Sequence, residues 1–165
     1  METGWNTRKQ KGTGGNMPRG YPSTPLVMPM RFKRATLDTL IAFKRARPWR
    51  GTVAERKVKF KELFDNLNEI YINRLNGEAP VRLKFRNNND ARMSGSSNYN
   101  RRTHTITLNG RLSVITALHE FRHAMGGDEF DAVKWSVNLY RITFPRLFET
   151  MENRGHVIVA PRSRS

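Results

Sequence analysis

Apolar residues recur along this chain at helical spacing in some stretches and alternate in others, and the two patterns predict its elements. From Lys33 to Arg47 the positions Ala35, Leu37, Leu40, Ile41 and Phe43 suit an amphipathic helix, which Pro48 stops. A second helix is predicted from Thr52, whose hydroxyl can cap it while Glu55 completes a capping box. It runs to about Leu75, with Phe60, Leu63, Phe64, Leu67, Ile70, Tyr71 and Leu75 on one stripe, and ends at Asn76-Gly77. Between Pro80 and Phe85, Val81, Leu83 and Phe85 alternate with Arg82 and Lys84, the period of a strand with one solvated face.

The Asn-, Ser- and Gly-rich run from Asn87 to Asn100 predicts a long loop of the kind that carries function, and a second strand follows from Thr103 to Leu108. A third helix spans Leu112 to Met125, capped by Ser113 and ended by Gly126-Gly127. A fourth spans Asp128 to Thr143, offers Phe130, Val133, Val137 and Tyr140 to the core, and is closed by Pro145. A short helical turn is expected over Arg146 to Glu152, and His156 to Val159 reads as an edge strand or an interaction segment. The expected class is α+β: two N-terminal helices, a small, mostly antiparallel sheet, then two more helices.

Composition changes this picture at the ends. The 165 residues suffice for one domain with one modest core. Residues 1–31 are rich in Gly, Pro, Lys and Arg without periodicity and read as a flexible basic arm; 32–152 form the domain and 153–165 a basic tail. Thirty Lys and Arg against 14 Asp and Glu give a net charge of +16, which favours polyanions: nucleic acid or an anionic membrane surface. Trp5 and Tyr21 among the basic residues of the arm suit base stacking. Arg56, Lys57, Lys59 and Lys61 on the second helix are a candidate phosphate stripe, or simply a solvated face.

The absence of cysteine excludes disulfides and Cys-type zinc, so any metal site must draw on His and carboxylate. No N-terminal apolar segment suggests a signal peptide and nothing approaches a membrane span. The expected location is cytoplasmic or nucleoprotein-associated, a virion included.

The candidate chemistry sits on the third helix. His119-Glu120-Phe121-Arg122-His123 is an HExxH sequence. Residues four apart share a helix face, so both imidazoles can meet one ion, while Glu120 is rotated by about 100° and can reach a water as general base. Catalytic zinc usually takes a third protein ligand, and Asp128, Glu129 and Asp131 follow closely.

Here the chain resembles known peptidases. His119 to Glu129 reads HExxHxxGxxE, the spacing of the metzincin motif with Glu in place of its third His. Glu129 to Ala132 looks like the ExxA helix of gluzincins, and above all of the small minigluzincins, whose active-site helix follows a strand ending like Thr105-Ile106-Thr107-Leu108-Asn109. Both resemblances imply a zincin-like fold and zinc held by His119, His123 and Glu129, with Glu120 activating a water to cut a peptide bond. Gluzincins usually place more residues between the second His and the Glu, which leaves Asp128 and Asp131 as rival ligands. The resemblance also implies that an extended substrate lies along an edge strand near residues 96 to 104. Tyr140 is the candidate oxyanion donor, with His104, Tyr99 and His156 as others, and Asp131 or Asn138 as partners that orient the imidazoles. His and carboxylate would also accept Mn, Fe, Co or Ni. Two functions follow: a zinc metallopeptidase acting on nucleic-acid-associated proteins, or a nucleic-acid-binding or packaging protein with a structural or vestigial metal site.

Overall fold

The computed structural model describes residues 30–72, 74–86, 97–109, 112–154 and 157–159. The N-terminal arm up to residue 29, most of the Asn87–Asn100 segment, His156 and the last six residues lie outside the described residues. The fold is α+β. Helices α1 (Arg34–Arg45) and α2 (Val53–Tyr71) precede strands β1 (Arg82–Phe85), β2 (Asn98–Asn100) and β3 (Thr105–Leu108). Helices α3 (Val114–Ala124), α4 (Glu129–Thr143) and the short α5 (Pro145–Glu149) follow, and β4 (Glu152–Arg154) pairs antiparallel with β5 (Val157–Val159). No described helix is long and apolar enough to cross a membrane.

Local sequence explains the helix ends. Thr52 and Glu55 form the capping box at the start of α2, with the Glu55 carboxylate accepting from the Thr52 N–H at 2.6 Å. That helix stops at Tyr71, because Ile72 takes an extended conformation, and Leu75 falls on a following 3₁₀ turn where it is 98% exposed. Leu75 is therefore not on the buried stripe that the apolar spacing predicts. Pro145 closes α4 and opens α5, where its missing N–H costs nothing.

The sheet corrects two expectations. Its order is β1-β3-β2, with β3 parallel to β1 and antiparallel to β2, so it is mixed rather than mostly antiparallel. The edge strand β2 precedes the central one in the chain, and the turn at residues 101–104 brings the chain back from β2 into β3, which runs parallel to β1. The strand β2 itself lies inside the predicted loop. Its three residues, Asn98, Tyr99 and Asn100, carry no apolar alternation, and an edge strand needs little of it.

The core is built where the helices meet this sheet. Leu40, Phe60, Phe64, Leu67, Ile106, Leu118, Phe121 and Leu139 are essentially inaccessible. Phe64 meets Phe121 edge-on at 5.6 Å, and Phe121 stacks on Trp135 at 6.5 Å, so α3 is wedged between α2 and α4. Trp135 and Leu139 carry the main face of α4; Val133 and Val137 form a separate small cluster with Phe130 and Phe148. Asn68 fixes the sheet against α2. Its buried amide donates to the Val81 carbonyl at 3.0 Å and accepts from the Val81 N–H at 2.9 Å, satisfying both.

Candidate metal centre

Helix α3 begins at Ser113, whose hydroxyl accepts from the Thr116 N–H at 3.3 Å, and buries Val114, Ala117, Leu118 and Phe121. That packing fixes the rotation of the helix and leaves His119 and His123 one turn apart at its half-buried side. The helix ends at Gly126, which adopts φ +88 as a left-handed C-terminal residue. Gly127 follows so closely on the last turn that an added Cβ would stand 2.9 Å from Arg122 Cγ. This tight corner swings the chain straight into α4. Asp128 caps that helix by accepting from the Asp131 N–H at 2.8 Å, and Glu129 becomes its first residue, facing back across the corner.

The result is a triangle of ligand atoms. His119 Nε2 and His123 Nε2 are 3.0 Å apart, and Glu129 Oε2 lies 3.2 Å from the second and 3.5 Å from the first. Three ligands about 2.0–2.1 Å from a tetrahedral ion stand roughly 3.3–3.4 Å from one another. The donor set therefore fits a small divalent cation. Among the described residues it is the one group of three or more His, Asp or Glu with ligand atoms that close.

The tautomer of His123 is fixed by its other nitrogen. Nδ1 lies 3.0 Å from the Gly127 carbonyl, which only accepts, so Nδ1 carries the proton and Nε2 presents its lone pair to the triangle. At His123 this orienting contact comes from the backbone, not from Asp131. Asp131 instead pairs with Arg122 at 3.5 Å, and Asn138 donates its side-chain N–H to the Lys134 carbonyl of its own helix at 2.8 Å. A backbone carbonyl thus fills the role expected of a side chain, and the Gly-Gly pair is its signal in the sequence, since a Cβ at position 127 would press on Arg122.

Glu120 is buried, one residue from the first imidazole. Burial pushes its carboxyl above the ordinary range; the nearby His123 and a hydrogen bond from the Tyr99 backbone oppose this, and Glu129 adds to it. Tyr99 belongs to β2, so Glu120 is tied to the outer strand of the sheet.

The other candidate side chains have partners of their own. Asp128 spends its carboxylate on the cap and Asp131 its own on Arg122, which leaves Glu129 as the acid that reaches the histidines. Tyr99 and His104 bond each other, the hydroxyl standing 2.7 Å from Nδ1. Tyr140 lies in the core with its ring 5.0 Å from Phe144, and its phenol is pushed up to about 12 by burial. It follows Glu129 by eleven residues, or about 16 Å of helix rise, so the structure does not bring this expected oxyanion donor to the cluster. Two members of the candidate phosphate stripe on α2 are engaged within the fold: Lys59 donates to the Arg47 and Arg50 carbonyls, and Lys57 lies over the Phe85 ring.

Compared with protein-family models, with curated proteins and with solved structures, the chain finds no match.

Proposed function

We propose that this chain is a zinc-dependent metallopeptidase of zincin type whose substrates are proteins associated with nucleic acid. The observation that carries the reading is the triangle of His119, His123 and Glu129 with Glu120 buried beside it. A structural zinc site has no need of a carboxyl in that place, whereas hydrolysis does. Bound there, zinc would supply Lewis-acid chemistry, acidifying a water and polarising a carbonyl. The chain's own part is to position and to move a proton. Gly127 holds His123 in the ligating tautomer. Glu120 takes the proton of the attacking water on its carboxylate and returns it to the leaving amine. Its tie to Tyr99 sets it beside β2, an outer strand along which an extended peptide can add by main-chain hydrogen bonds.

The net charge of +16 supports the choice of substrate class, because such a field concentrates the protein on polyanions. The same charge favours a second reading, a nucleic-acid-binding or packaging protein in which the metal only braces the α3–α4 corner. Elemental analysis of the purified chain beside His123→Ala tests the site. Close to one zinc per chain, lost in the variant, is the expected result. No stoichiometric metal in either protein after zinc is offered would remove both readings of the centre and leave polyanion binding alone.

A further inference from the structure

The connection between α1 and α2 is built unlike an ordinary surface turn. Lys44, Arg45, Arg47 and Arg50 are all exposed within seven residues, and among the described residues none of them has an ion-pair partner. The nearest acids in sequence are engaged already, Asp38 with Arg34 at 3.4 Å and Glu55 in the capping box. Between these cations stands Trp49, which is 42% exposed. Its ring meets the buried Phe144 at 5.2 Å and 67°, and such an edge-to-face contact cannot cover both indole faces.

The corner is also held rigidly. Lys59 donates to the Arg47 carbonyl at 3.1 Å and to the Arg50 carbonyl at 2.8 Å, pinning the turn on both sides of Trp49. Arg47 is kept at φ 53, a conformation that L-residues rarely adopt. Lys44 lies 6.0 Å from the centre of the same Phe144 ring that supports Trp49, so cation and indole converge on one spot. Lys44, Arg45 and Arg47 further rim a hollow of about 690 Å³ floored by Leu37, Ile41 and Ile142. An exposed, supported indole on a short turn with exposed cations that have no ion-pair partner among the described residues is an arrangement that can stack an unpaired base while arginines neutralise the flanking phosphates.

We propose that residues 44–50, the corner between α1 and α2, bind single-stranded nucleic acid, with Trp49 stacking a base and Arg45, Arg47 and Arg50 holding phosphates. This deepens the reading of the substrates as nucleic-acid-associated and assigns the contact to the folded domain rather than to the N-terminal arm. It does not depend on the metal centre, so His123→Ala should bind nucleic acid as the parent does, whatever becomes of hydrolysis.

The test is fluorescence anisotropy of labelled dT20 and U20 with the full chain, over a series of salt concentrations. Trp49→Ala should weaken binding by roughly five- to 150-fold, the range for loss of one stacked base. Arg45→Gln with Arg50→Gln should flatten the plot of log K against log salt by about 1.4, two phosphate contacts on a single strand. The double variant touches only exposed side chains and stays informative if loss of Trp49 unsettles the fold, which circular dichroism would reveal. Preference for dT20 over U20, or the reverse, says which strand is native and supports the proposal either way. Heparin, a polyanion without bases, should be unaffected by Trp49→Ala. Unchanged affinity and slope in both variants, or no binding of either oligonucleotide by the parent at low salt, would overturn the assignment. Equal losses for heparin and for dT20 in Trp49→Ala would overturn the stacking role.

Discussion

Two inter-helix corners of this molecule use the same backbone device for opposite chemistry. At each, a left-handed residue turns the chain from one helix to the next: Arg47 between α1 and α2, Gly126 between α3 and α4. At the second corner side chains converge, and three ligand atoms meet within 3.5 Å of one another at a half-buried point. At the first they diverge, and cations spread outward around a half-exposed indole. A converging corner concentrates lone pairs that only a cation can satisfy together. A diverging one spreads charge over an area that suits an extended polyanion. The turn geometry does not decide which results. The residues do: apolar anchors on α3 fix its rotation and bring its histidines to the helix that follows, while the α1–α2 turn rests on Lys59 and Phe144 and leaves its cations exposed.

The sharpest way to break this contrast is at Glu120. Glu120→Gln should leave the fold and the metal in place and lower hydrolysis by at least about 10²-fold, the usual size of a general-base contribution. Peptide hydrolysis assayed beside metal content checks it, and retained activity would remove Glu120 from the base role. The same variant has a stability signature in the metal-free protein. The native state holds the Glu120 proton more tightly than the unfolded chain does, so stability should fall as pH rises through and above the ordinary carboxyl range near 4.5. Gln cannot ionise, and that fall should be missing from the variant's denaturation midpoints.

Next in size is the metal itself. Glu129→Ala should weaken zinc binding by more than the 10–100-fold typical of losing a supporting residue. Asp128→Ala should leave affinity nearly unchanged and cost about 1 kcal/mol in stability, because its carboxylate serves as the α4 cap. Zinc titration and thermal melts of the two variants give the ranking. A reversed order would mean that the chain rearranges around the ion and that Asp128 is the ligand.

How much of this was legible beforehand follows the range of the interactions. The capping box at Thr52, the Ser113 cap and the histidine pair depend on residues three or four apart, and the sequence states such spacing directly. The sequence offers Glu129 as a ligand only by resemblance, and its rivals part from it through contacts that spacing does not state, Asp128 as a cap and Asp131 on Arg122. What escaped was long-range or carried by the backbone. The parallel pairing of β1 with β3, the Asn68 amide on Val81 and the Gly127 carbonyl on His123 leave no periodic trace. Tyr140 shares a face with Glu129 by helical spacing, but the same spacing sets it about 16 Å of rise further along α4. The polar strand β2 falls within the predicted loop because apolar alternation is a signature of burial, and among the described residues β2 pairs on one side only.

The smallest effect bears most directly on the two corners. An added Cβ at Gly126 would meet nothing within 4 Å, so Gly126→Ala should cost only backbone strain, about 1–2 kcal/mol. The loss should appear in urea midpoints at unchanged slope. Arg47→Gly reverses the chemistry at the equivalent turn, where a residue with a Cβ already carries that strain at φ 53. Relief of the strain and the added freedom of glycine in the unfolded chain oppose each other, and the net change should stay within about 1 kcal/mol. If Gly126→Ala proves as mild as Arg47→Gly, the α3–α4 turn is softer than its short path to Glu129 suggests. The metal, rather than the glycine pair, would then be what draws that corner closed.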